Sequence, residues 1–390
     1  MTTKRLVLKT ALGLIAVATG AAGWAADTGP IKIGLILPMT GQSASTGRQI
    51  DAAVKLWMAQ NGNKIAGRTV EVILKDDGAV PDATKRIAQE MIVNDKVSVI
   101  AGFGITPTAL ATAPLATQSK TPLVVMAAAT SSITEASPFI IRTSFTLPQV
   151  TTPMADWAAK NKIKKVVTLV ADYGPGFDAE KFFDSQFRLN GGQVLEKLRT
   201  PLKAPDFAPV LQKVTDLKPD ALFVFLPSGQ GATFMKQFAE RGLDKSGVRL
   251  IATGDVTDDD QLNDMGDVAL GVVTSHHYSA SHPSAMNKKF VADFQAAAKF
   301  RPNFMAVGGY DGMHVIYNAL NATKGAGGEA LLNAMKGQIF ESPRGPVLID
   351  AQTREIVQDI YIRKVEKVNG QLYNVEFDVQ KGVKDPGKLK

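Results

Sequence analysis

The sequence predicts an α/β protein of two similar lobes, each with a mainly parallel sheet wrapped by helices. Short apolar runs alternate with amphipathic helical patterns from residue 31 onward, which is typical of βαβ units. The alternation pauses at residues 139–149 and then resumes with similar order and element lengths, so it predicts two lobes of one kind rather than a sequence repeat. A length of 390 residues agrees with this, because it exceeds what one core ordinarily fills.

The first series predicts four strands separated by three helices. In its first helix Ile50, Val54 and Trp57 recur at helical spacing. The strands are assigned to residues 31–39, 69–77, 97–102 and 122–129, and the helices to 47–62, 82–95 and a segment that begins at Thr106.

The second series and the tail complete the α/β pattern. Strands are assigned to residues 164–173, 192–200, 221–227 and 248–255, and helices to 179–192, 206–220, 232–243, 285–300 and 309–325. Extended runs follow at 346–350 and 356–377. Asn369-Gly370 lies inside the last run and favours a tight reversal, so this run is predicted to be an antiparallel hairpin.

Composition excludes several classes of protein. Hydrophobic residues make up 45% and charged residues 21%, as in soluble globular proteins. The absence of cysteine excludes a disulfide framework, a thiolate nucleophile, a cysteine metal site and a lipid-anchoring cysteine. The formal charge is +7, but Lys4, Arg5 and Lys9 lie at the extreme N-terminus and the other basic residues are scattered among acids. The chain therefore lacks the cluster of basic residues that is typical of nucleic-acid-binding proteins.

Residues 1–26 are predicted to be a secretory signal peptide. They combine a basic start, an apolar core at 11–22 and small residues before Ala25 and Ala26, near which we place the cleavage. A membrane anchor would need a longer, uninterrupted apolar core, and no second apolar run of ~20 residues follows. The mature chain is thus expected to be exported into the periplasm and not to be integral to a membrane.

Catalytic and metal motifs are missing. The sequence has no GxSxG elbow and no P-loop, and PMTGQSASTG does not match GxGxxG. His276 and His277 are adjacent, so on a strand they are expected to point to opposite faces and not to share a metal. The acidic run at 255–264 lacks the central Gly and terminal Glu of a calcium loop, and we interpret it as a solvated helix start. No metal and no cofactor are predicted.

Two strand ends predict a site for a small anion, since parallel sheets gather strand ends and helix starts at one edge. We place Thr106 at an N-cap and Pro107 at N1, where free N–H groups and the helix dipole suit a carboxylate. The next strand ends in AAATSS (127–132), where small side chains leave the backbone reachable and Thr130 supplies a hydroxyl. The alternative, in which both threonines only cap helices, stays open.

Several segments carry a family resemblance over nearly the whole mature chain: IKIGLILPMTGQSASTG, VIAGFGITPTALATAPLA, PLVVMAAATSSIT, ADYGPGFDAE and GYDGMHVIYNAL. The chain resembles the periplasmic Leu/Ile/Val-binding proteins, which are solute-binding proteins of ABC transporters with the type I periplasmic binding fold. The resemblance implies two Rossmann-like lobes joined by crossing strands near residues 144–149, 275–279 and 349–353. Lobe 1 would comprise residues 27–145 and 280–350, and lobe 2 residues 146–279 and 351–390.

The resemblance also implies roles for five residues. Thr106 would hold the ligand carboxylate with the backbone and hydroxyl groups of Ala128 and Thr130, Tyr173 would close from lobe 2, and Asp255 would pair with an amino group. The sequence departs from the family pattern in two ways. Pro227 stands where amino-acid binders have a second tyrosine, and Asp255 is shorter than the family's acid, with its alignment uncertain by one residue. Carboxylate recognition is therefore predicted, while α-amino recognition stays open.

The function implied is that of a monomeric periplasmic solute-binding protein. It would close on a small carboxylate, a branched-chain or other apolar amino acid, and deliver it to an ABC permease in the inner membrane. Three alternatives stay open: a binder of aromatic or aliphatic carboxylates without an amine, a sensor linked to a membrane receptor, and an exported hydrolase. The hydrolase would need His276, His277 or His282 to be hydrogen-bonded to a cleft serine.

Overall fold

The structure is a computed structural model that describes residue 2 and residues 29–389. The predicted signal peptide, Thr2 apart, lies outside the described residues. None of the helices in the described part of the chain is both long enough and apolar enough to cross a membrane.

The first sheet has six strands in the order β2-β3-β1-β4-β5-β6. All neighbouring pairs are parallel except β2 with β3. The strands are β1 (Ile31–Leu37), β2 (Lys64–Ile65), β3 (Arg68–Asp76), β4 (Val99–Gly102), β5 (Leu123–Val125) and β6 (Ile140–Arg142). Three helices belong to this part of the chain: α1 (Ala44–Asn61), α2 (Pro81–Glu90) and α3 (Thr106–Ser119).

The second sheet has nine strands. A parallel half runs β8-β7-β9-β10-β11, and an antiparallel half adds β14, β13, β12 and β15. The strands are β7 (Lys165–Ala171), β8 (Gln193–Thr200), β9 (Ala221–Phe225), β10 (Arg249–Thr253), β11 (Val273–His276), β12 (Ile339–Ser342), β13 (Gly345–Ile349), β14 (Ile356–Val368) and β15 (Gln371–Val383). The interleaved helices are α4 (Leu147–Lys160), α5 (Gly174–Leu189), α6 (Ala208–Leu217), α7 (Gly231–Glu240) and α8 (Leu262–Met265).

Three late helices return to the first sheet's side of the molecule. They are α9 (Ala285–Ala298), α10 (Phe304–Ala322) and α11 (Gly328–Met335). Both α9 and α10 pack against α1, and α11 packs against α10. The chain therefore passes between the lobes more than once, as the resemblance implied.

Each sheet has one point at which the direction of strand addition reverses. In the first sheet this point lies between β1 and β4, and in the second it lies between β7 and β9. Loops diverge at such a point and leave a crevice beyond the carboxyl ends of the strands, where α/β proteins bind small ligands. The fold thus provides two crevices.

The predicted fold class is confirmed, and so is the hairpin. Asn369 and Gly370 both have positive φ, 51° and 82°, which is the backbone of the tight turn that an Asn-Gly pair favours. Helix α4 was not predicted, because the sequence analysis assigned no helix to residues 147–160. Pro148, Pro153 and the β-branched run between them obscured it, although Pro148 lies in the first turn, where its missing N–H is tolerated.

A buried arginine fixes the first crossing between the lobes. The guanidinium of Arg344, 1% exposed, lies 2.6 Å from Asp311 Oδ2 and donates to the carbonyl oxygens of Thr143 and Ser144 at 2.9 Å. It also donates to Gln358 Oε1 at 2.7 Å. Burial lowers the pKa of Arg344, and the charge of Asp311 opposes that shift. The crossing chain is thereby held at residues 143–146, directly before α4.

Arg344→Met should destabilise the protein by about 3–5 kcal/mol, because it leaves the buried carboxylate of Asp311 without its counter-charge and removes a donor from two backbone carbonyls. Urea unfolding followed by circular dichroism measures this loss. Lys85→Met, at an exposed position of α2, is the matched control and should change stability by less than about 0.5 kcal/mol. Equal stability of both variants would show that Arg344 does not support the crossing.

Candidate ligand-binding site

A cavity lies between the two lobes, where the two crevices face each other. Its walls come from the loops after β1, β4, β5, β7, β9 and β10, from the first crossing and from the start of α10. The lining residues are Ser43, Thr46, Gly104, Ile105, Thr106, Ala127, Ala128, Ala129, Phe145, Leu147, Tyr173, Pro175, Phe225, Pro227, Ser228, Asp255 and Met305. None of these residues, all within the described part of the chain, is a Lys or Arg. Any anion bound here must therefore be held by hydroxyl groups, N–H groups and helix dipoles.

The hydroxyl groups of Thr106 and Thr130 lie 2.8 Å apart. They meet because β4 and β5 are neighbours and both residues follow the carboxyl ends of these strands. Thr106 lines the cavity, whereas Thr130 lies behind it and is 7% exposed. Each hydroxyl has one proton to donate, so if Thr130 donates to Thr106, the Thr106 proton is left for the cavity.

Thr106 is not the helix N-cap that the sequence analysis placed there. Ile105 takes the extended backbone of the cap, and its carbonyl accepts from the N–H groups of Thr108 and Ala109. Thr106 is consequently the first helical residue and Pro107 the second. Helix α3 has no side-chain cap, so the Thr106 hydroxyl bonds to Thr130 and does not cover the helix start.

Gly102 makes the sharp end of β4 possible. Its φ is +116°, and a Cβ atom there would lie 2.2 Å from the carbonyl oxygen of Ile36 on the adjacent strand. Only glycine satisfies both constraints. The chain turns at Gly102, and helix α3 begins four residues later at Thr106.

Arg142 holds the loop that follows β5. Its guanidinium is fully buried and donates to the carbonyl oxygens of Ala128, Thr130 and Phe145. It also forms an ion pair with Glu355 at 2.6 Å. The sequence analysis did not identify Arg142, because an arginine that ends a short apolar strand carries no motif.

The backbone of Ala128 is fully engaged. Its N–H donates to Phe103 at 3.0 Å, and its carbonyl accepts from Arg142. In a planar trans peptide, the next N–H points opposite to that carbonyl. The N–H of Ala129, a residue that lines the cavity, therefore points away from the Arg142 guanidinium.

Aromatic and apolar side chains form the middle of the cavity. Tyr173 stacks on Phe225 with ring centroids 6.1 Å apart and an angle of 17° between the rings. Burial raises the pKa of Tyr173, with a smaller contribution from the charge of Asp255, so its hydroxyl stays protonated. Phe145 and Met305 contribute further apolar surface. A flat, apolar ligand suits these walls.

Asp255 is the acidic side chain of the cavity. It is 4% exposed, and its Oδ2 atom has no hydrogen-bond partner within the described protein. His276 is a polar neighbour of Asp255, and its Nε2 lies 3.5 Å from Oδ2, beyond a good hydrogen bond. Burial lowers the pKa of His276 to about 4, so this imidazole is neutral at neutral pH.

His276 and His277 do not point to opposite faces as expected. Their ring centroids lie 4.5 Å apart, and both rings contact Phe145 and Phe304. His277 follows the last residue of β11, so strand alternation no longer governs its direction. Within the described residues, no three His, Asp or Glu side chains are grouped to hold a metal ion. His282 bonds to Glu376 at 2.8 Å and not to a serine.

Asp255, Asp258 and Asp259 of the acidic run after β10 are buried, so the interpretation of these residues as a solvated helix start is wrong, whereas Asp264 at the end of the run is exposed. Asp258 accepts from Ser228 at 2.6 Å and from Asn303 at 2.8 Å, and Asp259 accepts from Asn374 at 3.1 Å. Burial raises the pKa of Asp258, and the nearby charge of Asp260 adds to this. Hydroxyl and amide groups of the protein donate to these carboxyl groups.

Polar contacts cross between the lobes around the cavity. Ser45 donates to Asp260 at 2.5 Å, and the Ser131 N–H donates to Asp178 at 2.8 Å. At the start of α5, a Cβ atom on Gly174 would lie 2.9 Å from the Thr130 hydroxyl and 3.5 Å from Thr106. The second lobe thus lies directly on the hydroxyl pair, and the structure is the closed form.

The structure places four of the five predicted residues in the cavity wall: Thr106, Ala128, Tyr173 and Asp255. Thr130 lies one atom layer behind them. From the segment 42–48, which was expected at the cleft edge, Ser43 and Thr46 also line the cavity. The apolar walls at Phe145, Phe225 and Met305 were not identified, because such residues fill every core of the chain.

Comparison with known proteins identifies one family. The family model described as periplasmic binding protein matches residues 30–371. A Leu/Ile/Val-binding protein homolog of Brucella melitensis is 44% identical over 390 residues and covers 98% of this chain and 99% of its own.

Solved structures are similar over the described chain. A solute-binding protein of an ABC transporter from Rhodopseudomonas palustris BisB5, in complex with 3,4-dihydroxybenzoic acid, is 64% identical with a TM-score of 0.91 and covers 92% of this chain and 99% of its own. A second such protein, from R. palustris HaA2 in complex with p-hydroxybenzoic acid, is 42% identical with a TM-score of 0.89 and the same coverage.

Gly174→Ala should shift the protein toward an open form, because the added methyl group meets Thr130 only when the lobes are closed. Overpacking of this kind costs ~1–3 kcal/mol, so the closed population should fall about tenfold relative to the open one. The chain has no cysteine, so spin labels on Lys85→Cys and Lys245→Cys report the distance between the lobes by electron resonance.

Gly327→Ala is the control, since a Cβ atom there approaches no heavy atom closer than 3.7 Å. It should leave the distance distribution unchanged. If Gly174→Ala also leaves it unchanged, the contact between Gly174 and the hydroxyl pair does not limit closure.

Proposed function

Because the chain belongs to the periplasmic binding protein family, we propose that it binds a small aromatic carboxylate between its lobes and delivers it to an ABC permease. The observation that carries this proposal is the cavity itself. It has hydroxyl and N–H donors at one end, stacked aromatic walls in the middle and no basic side chain among its described lining residues. Two similar proteins hold dihydroxy- and hydroxybenzoic acid.

The carboxylate is assigned to the end formed by Thr106, Thr130 and the start of α3. When Thr130 donates to the Thr106 hydroxyl, Thr106 can donate its own proton to the carboxylate. The N–H of Ala129 is the second donor. The first-turn N–H groups of α3 add the positive end of the helix dipole. Asp255 cannot serve this end, since two carboxylates in a buried site repel each other.

The aromatic ring is assigned to the space beside Tyr173 and Phe225. A benzoate is flat and matches the parallel faces of these two side chains. Pro227 also lines this part and has no N–H to offer a polar group. This composition favours an aromatic acid over the branched-chain amino acid first expected.

Capture proceeds by closure of the two lobes without a covalent step. The ligand shifts the equilibrium toward the closed form because it contacts both Thr106 of the first lobe and Tyr173 of the second. Contacts such as Ser45 to Asp260 and Ser131 to Asp178 then hold the closed form. The closed monomer in the periplasm is the form that an ABC permease would recognise.

A thermal-shift screen tests the proposed ligand class. Benzoate, 4-hydroxybenzoate and 3,4-dihydroxybenzoate should raise the melting temperature, since a ligand at 100 times its Kd stabilises the folded state by ~2.7 kcal/mol. Leucine and valine at the same concentrations should have little effect. A response to leucine or valine alone would overturn the proposal in favour of an amino-acid binder.

Thr106→Val should raise the Kd for the best aromatic acid about 10- to 100-fold, because a hydrogen bond to a charged group contributes ~1.5–3 kcal/mol. Isothermal titration calorimetry measures the change. Thr106→Ser keeps the hydroxyl and should stay within about threefold of the wild-type Kd. An unchanged Kd for Thr106→Val would show that Thr106 has only a structural role.

A further inference from the structure

Asp255 forms a second polar part of the cavity wall, apart from the groups assigned to the ligand carboxylate. This carboxyl group lines the cavity, is 4% exposed and has one oxygen, Oδ2, without a hydrogen-bond partner within the described protein. A buried acceptor without a donor is unfavourable, and the penalty is larger for a charged group. Such an atom at a cavity wall indicates that a ligand supplies the donor.

The surroundings of Asp255 offer it no counter-charge at hydrogen-bond distance. His276 Nε2 lies 3.5 Å away, and neither ring nitrogen of His276 has a partner. The rings of Phe145 and Phe304 pack on His276 at 4.6 Å and 4.2 Å and keep it in place. Arg363 lies nearby, but its guanidinium donates to Thr274 and to the carbonyl of Tyr278.

The loop against the hydroxyl pair and Asp255 follow different strands of the second sheet. The loop after β7 carries Gly174, which lies on Thr106 and Thr130, whereas Asp255 follows β10. Strand β9 lies between β7 and β10, and the register places the ends of these strands side by side. Asp255 therefore enters the cavity wall from a strand end other than the one that carries Gly174.

The proposed ligand class decides which donor can reach Oδ2. An aromatic carboxylate without an amine can supply this donor only through a hydroxyl group on its ring. A hydroxyl group across a benzene ring from the carboxylate is separated from it by the length of the ring. Resting on the proposed function, we infer that Asp255 accepts a hydrogen bond from a ring hydroxyl of the ligand and selects hydroxylated over unsubstituted benzoates.

In this arrangement Asp255 is a specificity-determining residue and His276 a positioning residue behind it. The hydroxyl donates to Oδ2, and the ring remains beside Tyr173 and Phe225. A site that hydrogen-bonds a ligand hydroxyl rejects the analogue that lacks it, because the buried acceptor is then left unpaired. A methyl group in the same position would fill the space and leave Oδ2 without a donor.

The test compares 4-hydroxybenzoate with 4-methylbenzoate, which has similar size and no donor, by calorimetry on the full mature chain. The wild-type protein should bind 4-hydroxybenzoate at least about tenfold more tightly. Asp255→Leu should reduce this preference to less than about threefold. Asp264→Leu, at an exposed position of α8, is the matched control and should keep the wild-type preference.

The unfolding of the unliganded variant provides a second readout. Asp255→Leu should unfold at a temperature no lower than the wild type, because it removes a buried carboxylate that lacks a partner. A crystal structure of the complex should place the ligand hydroxyl about 2.5–2.7 Å from an oxygen of Asp255.

The possible outcomes separate this inference from the proposed function. Equal affinity of the wild type for both probes, or an Asp255→Leu variant that keeps the wild-type preference, overturns the role of Asp255 and leaves the aromatic-acid proposal standing. Failure of both probes to bind, with leucine bound instead, overturns the proposed function. Loss of leucine binding in Asp255→Leu would then assign Asp255 to an amine.

Discussion

The buried ion pair of Arg142 with Glu355 is the interaction on which the binding site depends. One guanidinium joins the loop after β5, through Ala128 and Thr130, to the first crossing, through Phe145. Glu355 immediately precedes β14 and also accepts from Thr134 at 2.7 Å. Such a pair is tolerated in a core only when its remaining groups are hydrogen-bonded, and here they are. The loop that faces the ligand is therefore held rigidly from behind.

That rigidity explains how a cavity without a basic side chain can accept an anion. Preorganised dipoles need no reorganisation when the ligand arrives, so hydroxyl and N–H groups can replace a lysine or arginine. Arg142 contributes indirectly: by holding the carbonyl of Ala128, it fixes the peptide plane and so turns the following N–H away from the guanidinium. The positive charge stays behind the loop, and the surface that the ligand meets remains neutral at one end and acidic at Asp255.

The sequence predicted the fold class and most of the site because both depend on local signals. Alternating strand and helix patterns predicted two α/β lobes, and the ends of β4 and β5 predicted where Thr106 and Thr130 would meet. The sequence could not show that Asp258 is buried, since its partners Ser228 and Asn303 lie 30 and 45 residues away along the chain. Arg142 was missed for the same reason, because its role comes entirely from tertiary contacts.

Recognition and closure are coupled through the groups that closure buries. In the closed form the Asp255 Oδ2 atom has no hydrogen-bond partner within the described protein, and the Thr106 hydroxyl has one, Thr130, which leaves it capacity for a second hydrogen bond. Water can satisfy both groups while the lobes are apart, so closing without a ligand leaves polar groups unpaired. A ligand with an acceptor at one end and a donor at the other removes this penalty at both lobes simultaneously. The same two groups that select the ligand therefore also determine when the lobes close, because only the correct ligand makes the closed form more stable than the open one.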